Sequence, residues 1–342
     1  MKAVRFHAHG GLEVLKYEDA PDPKIRADEV LVRVRACALN HLDLWLREGV
    51  RAWKLPMPHI LGSDISGEVA QAGSLAPWVK AGDRVLLAPG TGCGHCEVCA
   101  KGFDNACREY TVFGLTVDGG YAEFVKSPAS SVIPIPGGLS FDEAAAVPLV
   151  FLTAWHMLFA RAQLKPGEDV LVIGAGSGVG SAAVQVAKLI GARVIAVAGS
   201  DEKLEKARAL GADEGINHAR QSIAQEVRRL TGKRGVDVVL EHVGQAVWDD
   251  CFNSLATCGR LVTCGVTSGG DVALNLQALF GRQRTIFGSF MGSKGELMDA
   301  LKLIGLGKLK AVIDSSFPLC EAAAAQKKME TRDFFGKILL RV

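Results

Sequence analysis

The spacing of apolar positions changes character partway along the chain. Up to about residue 125 the apolar residues come in short runs, as in EVLVRVRACAL and DRVLLAPG, punctuated by PDP, PMPH and AGD. That pattern predicts short strands joined by turns. The opening MKAVRFHAHGG alternates like an edge strand. Near residue 140, Ser140 followed by Glu143 predicts a capping box ahead of an apolar run from Ala144.

After LKPGE the period alternates between strand and helix. DVLVIGA, ARVIAVA, VDVVLEHV, RLVTCGV and TIFGSF read as strands, while GVGSAAVQVAKLIG, DEKLEKARALG, SIAQEVRRLTG and AVWDDCFNSLATCG read as helices. Strand and helix in strict succession predict an α/β unit with a doubly wound parallel sheet. The last fifty residues resume the short-run pattern of the first domain, with a helix ELMDALKLIGLG, a locally Ala-rich helix EAAAAQKKME and a strand-like ending GKILLRV. Residues 1–139 with 291–342 are therefore expected to form one domain and 140–290 the other.

Composition removes several function classes. The net charge of +2 over 342 residues gives no electrostatic reason to expect nucleic acid or an anionic membrane as partner. The most apolar stretch, AAAVPLVFLTAWHMLF, is broken by Pro148 and too short to span a bilayer. The first residues lack the apolar core of a signal peptide. Of nine cysteines, Cys37, Cys251, Cys258, Cys264 and Cys320 are scattered, which argues against a disulfide framework and for a reducing, cytoplasmic setting.

The other four, Cys93, Cys96, Cys99 and Cys107, crowd into TGCGHCEVCAKGFDNAC. Four thiols this close together point to a bound metal, which could either take part in chemistry or only hold the loop together. The competing reading is four free thiols in a loop.

A second motif lies between the strand DVLVIGA and the helix that follows. Gly174, Gly176, Gly178 and Gly180, interleaved with Ser177 and Val179, form a turn in G-x-G-x-x-x-G spacing. Such glycines let the backbone approach a pyrophosphate, and the helix N-terminus supplies N–H groups and partial positive charge. The strand context separates this from a chance match. At the end of the next strand, NAD binders usually place an acidic residue on the ribose hydroxyls. Here Ala198, Gly199 and Ser200 stand there, with Lys203 just beyond, so NADPH is the expected cofactor.

Together, the β-rich first domain, the Cys-x2-Cys-x2-Cys-x7-Cys lobe, VPLVFLTAWHML, the glycine loop and the ending FGKILL resemble the medium-chain dehydrogenase/reductase superfamily over nearly the whole chain. The resemblance implies a GroES-like catalytic domain completed by the C-terminal residues, a Rossmann domain, a homodimer or homotetramer, and a structural zinc in the lobe. It also implies where a catalytic zinc would sit, and there the chain departs. The position three residues ahead of Asp43 holds Asn40, not cysteine; a Gly-His-Glu stretch is replaced by Gly62, Ser63 and Asp64; and PLVF lacks the third ligand. His41, His59 and Asp64 remain as an improvised alternative set.

Asparagine at that ligand position resembles the quinone oxidoreductase branch, as do the longer glycine loop and the Ser and Lys after the second strand. That branch commonly has Tyr where this chain has Trp45, and another Tyr on the 2′-phosphate where His218 stands. Many of its members lack the cysteine lobe kept here. Hydride addition to a quinone or an α,β-unsaturated carbonyl spreads charge into an enolate that one or two hydrogen-bond donors can stabilise. Alcohol oxidation leans on a metal for its oxygen charge. The expected small-molecule substrate is thus a quinone or enone, a CoA thioester included, with Trp45, Trp53 and Trp155 as candidate apolar lining. Asn40 is the expected orienting group, His41 a candidate proton relay and Asp43 its support. Thr153 is expected on the nicotinamide carboxamide, with Gly265, Val266, Phe287, Gly288 and Ser289 at the ends of the fifth and sixth strands beside the cofactor. The rival readings are a zinc-type alcohol dehydrogenase and a non-catalytic NADPH-binding redox sensor.

Overall fold

Alternating burial along Glu29–Ala38 shows how the first sheet is organised: Val30, Val32, Val34 and Ala36 are buried while Arg33 and Arg35 face solvent. One face of this strand therefore meets a core and the other meets water. In the computed structural model, which describes residues 1–49 and 53–342, the strand is central to a seven-stranded sheet. The order along the sheet is Val132–Pro134, Arg84–Leu87, Asp64–Ala72, Glu29–Ala38, Lys337–Arg341 and Ile313–Pro318, with Phe124–Pro128 also pairing to Glu29–Ala38. Ala36, Ala38 and Leu339 pack against Ala145 and Ala146 of the helix that the Ser140–Glu143 capping box begins. This unit comprises residues 1–149 and 293–342.

The opening strand, Lys2–Phe6, is not an edge. It lies between Lys16–Asp19 and His59–Ile60 in a three-stranded sheet. Its alternation identified the strand, but the two short partners that cover its edges carry too few residues to announce themselves.

The second unit, residues 150–292, holds six strands that are all parallel. In space they run Glu214–Asn217, Arg193–Ala198, Asp169–Val172, Val236–Glu241, Leu255–Thr263 and Thr285–Gly288. This is the doubly wound order that reverses direction beside the first strand, where ligands bind at the carboxyl ends. Leu171, Ile195, Val197, Val239 and Leu261 form its core with Trp248 and Phe252.

One helix is shorter than its pattern. AVWDDCFNSLATCG was expected to be helical throughout, yet the α-helix ends at Ser254 and the strand begins at Leu255. Leu255 is buried opposite Val236, and Cys258 takes a left-handed φ of 62°. Pairing with a buried neighbour outweighs the weak helical preference of those residues. Among the described residues no helix is long and apolar enough to cross a membrane.

Candidate functional site

Strand register brings three distant side chains together in the first unit. Ala38 lies opposite Asp64 on one side and Leu339 on the other. Side chains two residues apart on a strand share a face. Asn40, Asp64 and Lys337 therefore converge, although Lys337 is 297 positions from Asn40. The Lys337 Nζ donates to the Leu39 carbonyl at 2.6 Å, to Asn40 Oδ1 at 2.7 Å and to Asp64 Oδ2 at 2.9 Å. Asn40 Nδ2 donates to the same Asp64 oxygen at 2.9 Å, while Asp64 Oδ1 accepts the Leu149 N–H at 2.7 Å.

Asp43, in the first turn of the helix His41–Glu48, organises the next layer. Its carboxylate accepts the Asn40 N–H at 2.8 Å, the Tyr121 hydroxyl at 3.1 Å and the Gly62 N–H at 3.2 Å. Complete burial pushes the Asp43 carboxyl up to about 6, against the opposing pull of these donors and of the Lys337 charge. His41 sits at the start of that helix, edge-on to Trp45 with ring centroids 5.1 Å apart.

A catalytic zinc does not fit these residues. The Ser63 hydroxyl donates to the Phe113 carbonyl at 2.6 Å, and both Asp64 oxygens are already engaged, one of them with an ammonium. The improvised set fails as well: His59 is wholly buried with Nε2 3.0 Å from the Gly114 carbonyl and Nδ1 3.6 Å from Asp118. Among the described residues, His41, His59 and Asp64 do not gather into a metal-sized cluster.

The cysteine lobe does fit a metal. The thiols of Cys93, Cys96, Cys99 and Cys107 lie within 4.8 Å of one another, with Cys93 and Cys99 sulfurs 4.0 Å apart and those of Cys96 and Cys107 3.8 Å apart. Zinc–sulfur bonds of about 2.3 Å in a tetrahedron require sulfur separations of roughly 3.8 Å. All four cysteines are free of disulfides. Without a metal the four thiols share their protons unevenly: backbone N–H groups of His95 and Cys96 lower the Cys93 thiol to about 6, while burial and its neighbouring thiols raise that of Cys99 to about 12. The lobe is anchored within its unit by Asp104, whose carboxylate accepts the N–H of Lys294 at 3.0 Å.

In the second unit the glycine turn leaves the strand Asp169–Val172 and enters the helix Gly178–Ile190, which Ser177 caps by accepting the Gly180 N–H at 2.9 Å. Gly174 has a φ of 62°, and a Cβ on Gly180 would lie 2.2 Å from the Gly174 carbonyl oxygen. Gly176 and Val179 lie on the same turn and first helical residues, so the turn fits a pyrophosphate against a helix N-terminus. At the next strand end, Ser200 caps the helix Asp201–Ala209 by accepting the Lys203 N–H, which leaves its O–H to donate. Asp201 is engaged by Asn217 at 2.6 Å and Arg220 at 2.9 Å. The His218 ring lies 3.3 Å from the position a Cβ on Gly199 would take.

Phe287 and Gly288 end the sixth strand; the Arg161 guanidinium lies over the Phe287 ring at 5.5 Å and donates to the Gly288 carbonyl at 2.9 Å. The Ser289 hydroxyl is buried without a partner among the described residues, and Thr153 is buried in the helix Pro148–Trp155. Gly265 and Val266 follow the fifth strand, with Gly265 against His242.

No sequence signal assigns a role to three residues of these sites, although the first of them lies inside the FGKILL ending. Lys337 looks like an ordinary charge in a terminal strand. Tyr121 is buried onto Asp43 from an unmarked segment. His242, whose Nε2 is 3.2 Å from the Ser177 hydroxyl, closes the underside of the glycine turn. Burial holds its imidazole below the usual range, against the opposing pull of the Glu241 charge. Its only sequence cue is its place directly after the strand Val236–Glu241.

Known proteins resemble the chain over its whole length. A family model described as zinc-binding dehydrogenase matches residues 178–305, and one described as alcohol dehydrogenase GroES-like domain matches residues 26–137. The chain is 34% identical to an NAD-dependent alcohol dehydrogenase of Sulfolobus acidocaldarius over 100% of both chains. It is 31% identical to a quinone oxidoreductase of Rattus norvegicus, over 99% of this chain and 97% of that one. A crystal structure of an NAD-dependent alcohol dehydrogenase superposes with a TM-score of 0.97 at 47% identity, covering 100% of each chain.

Removing one lobe ligand with Cys96→Ser should take metal content from near one zinc per chain to near zero. It should also lower the thermal midpoint by several degrees, with turnover per folded molecule retained; elemental analysis, calorimetry and activity read the three. For Asp43, the folded chain keeps a proton that an ordinary aspartate near 4 has lost. Its contribution to stability is therefore full below about pH 4 and is lost as pH rises through about 6. Denaturant titrations from pH 4 to 7 should show this falling component in the wild type and a flatter profile in Asp43→Asn.

Proposed function

The chain belongs to the medium-chain dehydrogenase/reductase superfamily, and from that premise we propose that it reduces a quinone or an α,β-unsaturated carbonyl with NADPH, without a metal at the reacting oxygen. The observation that carries this reading is Asn40 in the metal-ligand position, hydrogen-bonded to Asp64 and Lys337, where an ammonium already meets the carboxylate.

When bound, the dinucleotide would supply the hydride for this reduction, and water the proton that completes the product. The protein's part is to bind, orient and stabilise. The turn at Gly174–Gly180 with Ser177 would hold the pyrophosphate, and Thr153 with the backbone around Phe287–Ser289 would hold the carboxamide. Asn40 would donate a hydrogen bond to the carbonyl oxygen as the enolate or hydroquinone anion forms. A delocalised enolate needs less concentrated positive charge than an alkoxide, so a neutral donor suffices. His41, in ring contact with Trp45, would relay the proton, and Asp43, which accepts the Asn40 N–H, would hold the backbone from which Asn40 projects.

For the cofactor, support for NADPH comes from Ser200 with an O–H to donate, Lys203 beside it, His218 at Gly199, and Asp201 already occupied by Asn217 and Arg220. A specific observation favours a second reading. The solved structure at 47% identity is named an NAD-dependent alcohol dehydrogenase, and so is the Sulfolobus relative. That reading makes the same chain an alcohol dehydrogenase using NAD⁺.

Purified enzyme decides between them. The expected result is NADPH oxidation with 2-cyclohexenone or 1,4-benzoquinone at a rate unchanged by a chelator that leaves the lobe metal in place. Turnover confined to alcohols with NAD⁺, together with about two zincs per chain, would overturn the first reading. Cofactor choice has its own test: Ser200→Asp should lower kcat/KM for NADPH by at least tenfold while leaving that for NADH within about threefold, because the new carboxylate repels a 2′-phosphate.

A further inference from the structure

The hydrogen bonds around Asn40 leave its side-chain amide a single way to face. An ammonium has three N–H donors and no acceptor. All three on Lys337 are used, on the Leu39 carbonyl, Asn40 Oδ1 and Asp64 Oδ2. Turning the amide over would set its NH₂ against the ammonium and its oxygen against the Asp64 carboxylate, two repulsive contacts in place of two attractive ones. The amide oxygen is thus committed inward.

The amide nitrogen is committed only in part. One N–H reaches Asp64 at 2.9 Å; the other has the Ala38 carbonyl at 3.5 Å, a long and weak contact. Asp64 is completely buried and Lys337 is 3% exposed, whereas Asn40 retains 7%. Of the three, Asn40 has the most surface, and its weakly held N–H is the donor left over for a further acceptor.

We propose that Lys337 is a positioning residue that fixes the Asn40 amide with its oxygen inward, so that an N–H, never the carbonyl, is presented to the substrate oxygen. This rests on the proposed reduction of a conjugated carbonyl, whose oxygen gains negative charge and accepts such a bond. The Lys337 charge also polarises the amide through Oδ1, which strengthens the outer N–H as a donor. Lys337 itself does not reach the substrate and does not deliver the proton, because its three N–H groups are already spent within the network.

The test compares Lys337→Met, Lys337→Arg and Asn40→Asp in the full-length, zinc-loaded enzyme, with active sites counted by NADPH binding. Lys337→Met should lower kcat per NADPH-binding site on the order of 100-fold, the loss typical of one oxyanion donor, with the KM for NADPH within about threefold. Lys337→Arg should recover at least a tenth of the wild-type kcat. A role confined to stability would instead lower the number of binding sites and leave kcat per site untouched, which overturns the proposal. Should Lys337→Met fail to fold, Asn40→Asp decides: it keeps an inward acceptor for the ammonium but has no N–H to present. It should lose kcat to a similar degree, and retained activity would mean that an oxygen does the work. A wild type inactive on enones and quinones but active on alcohols overturns the proposed reaction alone. The same three variants are then compared in the alcohol-forming direction, where a carbonyl oxygen must again accept the bond and the same losses are expected.

Discussion

A lysine ammonium buried against a carboxylate is the constraint on which the first unit turns. Lys337 and Asp64 lie 2.9 Å apart with side chains 3% and 0% exposed. Bringing both charges out of water is costly, and the pair is tolerated because every donor and acceptor facing it is satisfied. Removing one partner of such a pair typically costs about 3–5 kcal/mol, since the other charge is left stranded. The pair also ties sequence ends together. It ties the last strand, which pairs with Glu29–Ala38, to Asp64 of the strand on the other side of Glu29–Ala38, so the chain's final residues complete a sheet begun by its first quarter.

The same charge explains why metal chemistry divides as it does within this unit. Four thiols whose sulfurs all lie within 4.8 Å of one another form a closed, soft-donor cage suited to zinc. The surroundings of Asn40 offer an amide, an engaged hydroxyl at Ser63 and a carboxylate already neutralised by lysine. A divalent ion there would have to displace an ammonium without gaining a nitrogen or sulfur ligand. The superfamily's two cation positions are thus answered differently: a metal cage in the lobe, a side-chain cation beside Asn40.

In the nucleotide unit the constraint is steric. The close approach of Gly180 to the Gly174 carbonyl excludes any side chain there, and His242 seals the turn from beneath. Glu241, at the same strand end, accepts the Thr263 hydroxyl at 2.9 Å and the N–H groups of Val243 and Gly244. Carboxyl ends of neighbouring strands are thereby locked to one another around the place where a dinucleotide fits.

Much of this was legible in the sequence wherever the signal is local. Strand and helix periods, the capping box at Ser140, the glycine turn and the cysteine spacing each arise from residues close together in the chain, and local backbone geometry obeys them. The missing zinc ligands at Asn40 and Ser63 were legible for the same reason, as departures from a short motif. The helix that stops at Ser254 and the interior position of Lys2–Phe6 were not, because pairing with distant strands decided both. Lys337 and Tyr121 were invisible on similar grounds. A charge near the chain's end and a tyrosine in an unmarked loop acquire their meaning only once sheet register sets them beside Asn40 and Asp43. The sequence by itself determined the two architectures, the cysteine spacing of the lobe, and Asn40 and Ser63 at the positions where the resembled family puts zinc ligands. Tertiary structure alone decided what stands beside Asn40, because a hydrogen bond between residues 297 positions apart exists only after the strands have paired.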